Sequence, residues 1–399
     1  MRVRAPAVAV AVLMIATPWL RAASAPRSAV SRHVLDNGLT VLIKENPSSD
    51  LVVTEALLRA GPRLEEAHQS GISYFMRAML VRGTQRRTGA EIAQAIESVG
   101  GQLGGGTNPD FVSVYAVTPG RHIDAGMELV ADLLTNARFE PQDVETQRQV
   151  SLSRIGQNAD QPLQRAIELL NTTLYPYHPY ALSTFGTIEA VRALTREQLV
   201  QYYQAYSTAP NTIVVVAGNI SEAQALEKVK RAFSGLRTTP LPRRIRFLRV
   251  VERALAPPPT APQEVRETRS FGGAWIAVGY LGVPVGHRDF AALRVLNAIL
   301  GEGFSSRLFV EIREKRGLVY QVSSGLIARA GPGHVRLIAG TDPPNLSAVV
   351  AGMLHEVGRL RTEGAPAEEV ERAKRGVIGR YALAHENLEQ QAFYLGWYE

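Results

Sequence analysis

The order of predicted elements in the first half of the chain returns in the second. This repetition limits the fold more than any single motif does. RHVLDNGLTVLIK (32–44) sets apolar runs on either side of Asp36-Asn37-Gly38, a hairpin signal. LVVTEALLRA (51–60) reads as a further strand, followed by a helical stretch at 71–84. Thr88 and Glu91 form a capping box for a helix with Ile92, Ala95, Ile96 and Val99 on one face, stopped near Gly100. FVSVYAV (111–117) reads as a strand and HIDAGMELVADLL (122–134) as an amphipathic helix. A long helix follows Pro141, and TIVVVAG (212–218) closes the half as a buried strand. After a linker containing Pro257, Pro258, Pro259 and Pro262 the order restarts. AWIAVGYLG (274–282) answers LVVTEALLRA, and RDFAALRVLNAIL (288–300) takes the place of the helix at 71–84. LIARAGPGHVRLIAGT (326–341) supplies strands, NLSAVVAGMLHEVGRL (345–360) a helix, and Pro366 starts another. The expected class is α+β: two homologous halves, 31–236 and 266–399, joined by a linker at 237–265.

The halves are unequal. About 94 residues run from Pro141 to Ser234 in the first, against about 34 from Pro366 to Glu399 in the second. On this comparison the second half is truncated. It is expected to lack its closing strand and the helix before it, and to end in a sticky or disordered segment.

The N-terminus, MRVRAPAVAVAVLMIATPWLRAASAP, has the parts of a secretory signal spanning 1–25: Arg2 and Arg4, an apolar run from Ala7 to Ala16, then small residues. The run is short for a membrane span. Two outcomes stay open, cleavage after Ser24 or Ala25 and retention as an anchor. The net charge of +7 falls to +4 when Arg2, Arg4 and Arg21 leave with the signal. With no cysteine in 399 residues, disulfides, thiolate metal sites and thiol nucleophiles are excluded. The basic run RRIRFLR (243–249) abuts the proline-rich linker and reads as a solvated connector, with no nucleic-acid partner expected.

Residues 71–84, GISYFMRAMLVRGT, carry the chemical argument. They resemble the zinc-binding segment of the pitrilysin–insulinase peptidases, the inverzincins, whose pattern is roughly G-x-A-H-F-L-E-H-M-L-F-K-G-T. Gly71, Phe75, Met79, Leu80, Gly83 and Thr84 keep the frame. In that family two histidines one helical turn apart hold zinc, and the glutamate beside the second serves as base. Here those positions hold Tyr74, Ala78 and Arg77. The resemblance places the third ligand, a glutamate 77 positions after the motif glutamate, at Arg154 in QRQVSLSRI (147–155). Gln147 and Ser153 also stand where the family has glutamates. Ala78 has no donor atom, and a guanidinium is never a base. At about 4 Å from a dication, with an effective dielectric of ~20, it would be repelled by roughly 8 kcal/mol. Tyr74 could ligate only as a phenolate. No metal and no catalytic residue is expected in this chain.

FSSRLFVEIREKRGLVYQVSS (304–324) resembles the family's second-half signature, in which an arginine and a tyrosine seven positions apart hold substrate. The resemblance makes Arg313 and Tyr320 substrate-binding, both able to donate to peptide carbonyls. Read without it, they are a salt-bridged surface arginine and a half-buried strand tyrosine. GGQLGGGTNPDFVSVY (100–115) lies where the family has a substrate-facing edge strand, and stays open between a peptide groove and a plain loop. Its glycines precede a strand, so a phosphate cradle is excluded. A relocated metal site at Glu65, Glu66 and His68, or at His385, Glu386 and Glu389, has too weak a pattern to carry. No G-x-S-x-G elbow appears.

The resemblance covers nearly all of the mature chain and implies two homologous domains facing each other as a clamshell. It is to the zinc-less subunit type of mitochondrial-processing-peptidase-like bacterial proteins. The function implied is a non-catalytic, substrate-positioning subunit of a heterodimeric zinc metallopeptidase acting on peptides in the cell envelope, in the periplasm. Zinc is expected in a homologous partner subunit. The alternative is a peptidase-derived scaffold or assembly protein without proteolysis.

Overall fold

The structure is a computed structural model that describes residues 30–240, 261–270 and 272–399. The signal segment and most of the linker lie outside the described residues. The first half builds a mixed six-stranded sheet from β1 (Val30–Val34), β2 (Thr40–Glu45), β3 (Leu51–Leu58), β4 (Gln102–Thr107), β5 (Val112–Pro119) and β6 (Thr212–Gly218). Their order is β1-β2-β6-β3-β5-β4, with β2 and β6 parallel and the other neighbours antiparallel. The hairpin forms at the expected place, and Gly38 takes φ +87°, which its turn requires.

Alternation along the strands separates two faces. Val52, Ala56 and Leu58 of β3, with Val214 and Val216 of β6, enter the main core. That core is closed by α1 (Ile72–Leu80), α2 (Gly89–Glu97), α3 (Ile123–Asn136), α4 (Pro141–Ala159), α7 (Arg196–Tyr206) and α8 (Glu222–Ala232). Between α4 and α7 lie α5 (Pro162–Leu174) and α6 (Ile188–Ala193). The capping box of α2 forms as expected between Thr88 and Glu91. Val53 and Leu57, with Ile213, Val215 and Ala217, point to the opposite face. β6 is therefore apolar on both sides because both of its sides are covered.

The second half has an antiparallel three-stranded sheet, β7 (Ala274–Leu281), β8 (Gln321–Ile327) and β9 (His334–Thr341), in the order β7-β9-β8. Its helices are α9 (Phe290–Gly301), α10 (Leu346–Thr362), α11 (Ala367–Ala384) and α12 (Leu388–Tyr398). The order repeats β3-β5-β4 of the first sheet. Among the described residues, no strand does for β7 what β6 does for β3.

Each half lends the other a helix. α5 packs on β7, where Leu170 lies so close to Gly279 that a Cβ there would meet its Cδ1 at 2.8 Å. α12 lies on β3 and β6, burying Ala392 and bringing Phe393 and Trp397 against Phe111. Here the structure corrects the expectation of a disordered end. The last helix is an ordered cover for the first sheet, because that sheet's second apolar face needs one. Apolar exposure persists one helix earlier, at Ile378, Tyr381 and Leu383 of α11.

Candidate functional site

α1 presents Ile72, Phe75, Met76, Met79 and Leu80 to the core, leaving Tyr74, Arg77 and Ala78 half-buried beside α4. Its N-terminus is set by Gly71 at φ +93°, where a Cβ would meet the Phe185 carbonyl oxygen at 2.6 Å. Glu65 caps it: the carboxylate accepts from the Gly71 amide at 2.7 Å, from the Ser73 amide at 2.9 Å, and from the Ser73 hydroxyl. Burial pushes this carboxyl up to about 7 against those hydrogen bonds. Glu65 thus belongs to the helix terminus. Among the described residues no group of His, Cys, Asp and Glu side chains is placed to hold a metal ion.

The four altered positions lie close together. Arg154, exposed on α4, donates from Nη1 to the Tyr74 hydroxyl at 3.3 Å. Its guanidinium lies 5.2 Å from the Phe185 ring centroid, and Tyr74 meets the same ring edge-on at 4.9 Å. Arg77, one turn after Tyr74, donates from Nη2 to the Gly105 carbonyl of β4. Burial draws the Arg77 guanidinium down from its usual value, and its Nε has no hydrogen-bond partner. These residues do not fit a zinc ion. Two cations occupy the neighbourhood, Tyr74 is committed to Arg154, and Ala78 offers nothing.

QLGGGT (Gln102–Thr107) forms an edge strand, not a loop. The Asn108 amide pairs with the Phe111 carbonyl, so the antiparallel alternation turns Gly104 and Gly106 toward β5 and Leu103, Gly105 and Thr107 toward the open edge. The glycines serve close packing. A Cβ on Gly104 would lie 2.5 Å from the Tyr115 ring, and one on Gly105 2.2 Å from the Ser113 oxygen. Arg77 therefore holds an outward-facing carbonyl of the free edge.

Beneath that edge lies a cluster that the motif comparison missed. Glu55, buried in the middle of β3, is pushed up to about 8, mainly by burial and also by the charge of Glu389 on α12; Ser113 opposes this with a hydrogen bond. Tyr115 rises to about 12, through burial first and then a hydrogen bond to Glu389. One acid inside LVVTEALL, on the face opposite the main core, was the available signal.

Arg313 and Tyr320 are not in contact in any way the structure records. Arg313 lies in the last turn of a π-helical segment, Phe309–Glu314, with its guanidinium 4.8 Å from the Phe309 ring centroid. Gly317 turns the chain at φ +60°, and Tyr320 falls one residue before β8, not on the strand. Its side chain is 60% exposed, and its hydroxyl donates to Asp342, which holds the phenol proton on and raises its pKa. Neither is the ion-paired or half-buried residue of the bland alternative, since no ion pair to Arg313 occurs among the described residues.

Comparison with known proteins agrees with this architecture. The insulinase (peptidase family M16) model matches residues 40–188, and the peptidase M16 inactive-domain model matches 193–377. An uncharacterized zinc protease of Mycobacterium leprae is 31% identical over 376 residues, covering 91% of this chain and 81% of that protein. The chain belongs to the insulinase (M16) peptidase family. A Bacillus subtilis relative of the same description is 25% identical over 358 residues, covering 90% of this M16 chain and 85% of its own. Among solved structures, a Helicobacter pylori protease superposes with a TM-score of 0.83 at 22% identity, covering 93% of this chain and 89% of its own. A peptidase M16 inactive domain from Pseudomonas fluorescens gives 0.78 at 22% identity, covering 88% and 84%. These structures share the fold.

Proposed function

We propose that this M16 chain is the non-catalytic, substrate-positioning subunit of a heterodimeric zinc peptidase, and that its partner carries the zinc. One observation carries the reading: Tyr74, Arg77 and Ala78 of α1, with Arg154 of α4, form a metal-excluding cluster where the family resemblance places its zinc ligands, beside an ordered open edge strand. Such a chain can bind and orient a peptide while leaving bond cleavage to another subunit. Exposed Arg313 and Tyr320 offer donors to peptide carbonyls, Tyr320 once released from Asp342. The N-terminal signal supports export to the periplasm, with retention as an anchor the other outcome. Among the described residues no helix is long and apolar enough to cross a membrane.

The test is co-purification of the full chain from its native host, followed by a peptidase assay with and without chelator. A zinc-bearing M16 partner and chelator-sensitive turnover that depends on both chains are expected. In that pair Arg313→Ala and Tyr320→Phe should each lower turnover about tenfold, the worth of one lost substrate hydrogen bond. Full turnover by the partner alone would overturn the reading. One observation favours the scaffold alternative: Arg77 already occupies an outward carbonyl of β4, and an occupied carbonyl is lost to strand addition.

A further inference from the structure

The converted metal site has its own chemistry. Tyr74 lies between two arginines: Arg154 bonds its hydroxyl, and Arg77, three residues along the same helix face, is within electrostatic reach of it. Neither guanidinium has a carboxylate partner among the described residues, whereas Arg87 holds Asp132 and Arg148 holds Glu145. Arg77 is also half-buried, with one donor on Gly105 and its buried Nε unused. Because Tyr74 accepts from Arg154, its own proton is free to be donated. The result is a convergent set of donors with two positive charges and no anion of its own. It opens beside the outward-facing backbone of β4, where an extended chain can pair with Leu103 and Thr107.

We propose that Arg77, Tyr74 and Arg154 form a carboxylate subsite that takes an acidic group of a peptide laid along β4. This deepens the peptide-positioning reading and rests on it. The position that holds a dication in catalytic relatives would here select substrates by the opposite charge. An acid at that point of the peptide relieves the cost of the partly buried, unpaired Arg77, which a neutral side chain cannot do. Arg154, more exposed, supplies the second arm of the clamp.

The experiment uses the purified full-length chain and two fluorescein-labelled decapeptides, alike except that one carries glutamates where the other carries glutamines. Fluorescence anisotropy should show the glutamate peptide binding at least about tenfold more tightly, the worth of one charge-assisted hydrogen bond, with the preference falling as salt rises. Arg154→Gln, a change on an exposed side chain that leaves the fold intact, should abolish most of the preference, and Arg77→Gln the rest. Equal binding of the two peptides, or a preference unmoved by Arg154→Gln, would overturn the carboxylate subsite and leave peptide positioning standing. Failure of both peptides to bind would overturn the two readings together. Because Arg77→Gln could loosen β4, its melting temperature is measured alongside, and the exposed Arg154→Gln decides the matter alone if that temperature drops.

Discussion

The two halves start from the same element order and end with different cores. The first wraps helices around a six-stranded sheet, and its largest cluster runs through β2, β3, β5 and β6 into α1, α3, α7 and α8. The second packs a small cluster around Ile276, Leu308, Ile312, Leu337 and Met353 on three strands. It also leaves Phe304, Ile378, Leu383 and Tyr398 exposed. Buried apolar area is the main source of stability, so the second half should be the weaker unit and should lean on the helix it borrows. The exchange of α5 and α12 means that neither sheet is covered by its own half alone. Stability and docking of the halves are therefore one problem.

The comparison can be broken most directly through the two cores. Phe75→Ala, at a fully buried position of the first core, should cost about 3–5 kcal/mol, and Leu337→Ala in the second about 2–4 kcal/mol. Denaturant melts followed by hydrogen exchange would show Leu337→Ala opening the second half first. Simultaneous loss of protection in both halves would show that the helix exchange has merged them into one cooperative unit.

A pH series should move the halves in opposite directions. Glu55 sits at about 8, raised from 4.5 by burial and by Glu389, so the folded chain keeps a proton that the unfolded chain has released. The contribution of Glu55 to the first half is then fully present below about 4.5 and is lost as pH climbs to about 8. Glu55→Gln should flatten that slope, worth a few kcal/mol at one to two per pKa unit. In the second half, burial and the charges of Arg329 and Arg336 hold His334 down to about 3 from 6.5. The unfolded chain takes up a proton there first, so stability is complete above about 6.5 and falls as pH drops toward 3. His334 is hydrogen-bonded to Tyr175, 3.0 Å away, just past the end of α5, so the acid limb should appear as loosening of that junction. Thermal melts taken from acid through pH values above about 8 would sink the contrast if Glu55→Gln and His334→Gln both kept the parent profile.

Smaller effects sharpen the same picture. Gly396→Ala places a methyl against Leu57, whose Cδ1 would lie at 2.2 Å, and should cost about 1–3 kcal/mol by lifting α12 from the first sheet. Calorimetry would detect the loss. The smallest effect is expected at Arg313→Ala. This exposed side chain should change stability by no more than about 0.5 kcal/mol, so any loss of turnover in a reconstituted pair would report on substrate. Metal analysis of the isolated chain should find no stoichiometric zinc; one tightly held ion per chain would contradict the cluster at α1.

Much of this was legible in the residues. The hairpin at Asn37-Gly38, the capping box at Thr88, the buried run of β6 and the return of the order after the linker are local signals, each set by backbone preference or period. The altered metal positions could also be read, since an alanine has no donor and an arginine no lone pair to give, whatever surrounds them. Long-range partners could not. Nothing local says that α12 covers the first sheet while α5 covers the second, because an amphipathic helix records that one face is buried and not what buries it. Nor does GGG at 104–106 say that Tyr115 and the Ser113 backbone need the room, or that Arg77 reaches the outward carbonyl of Gly105. The helix exchange joins residues far apart in the chain, and the contacts around β4 depend on how β5 and α1 pack within the first half, so only the tertiary structure decides them.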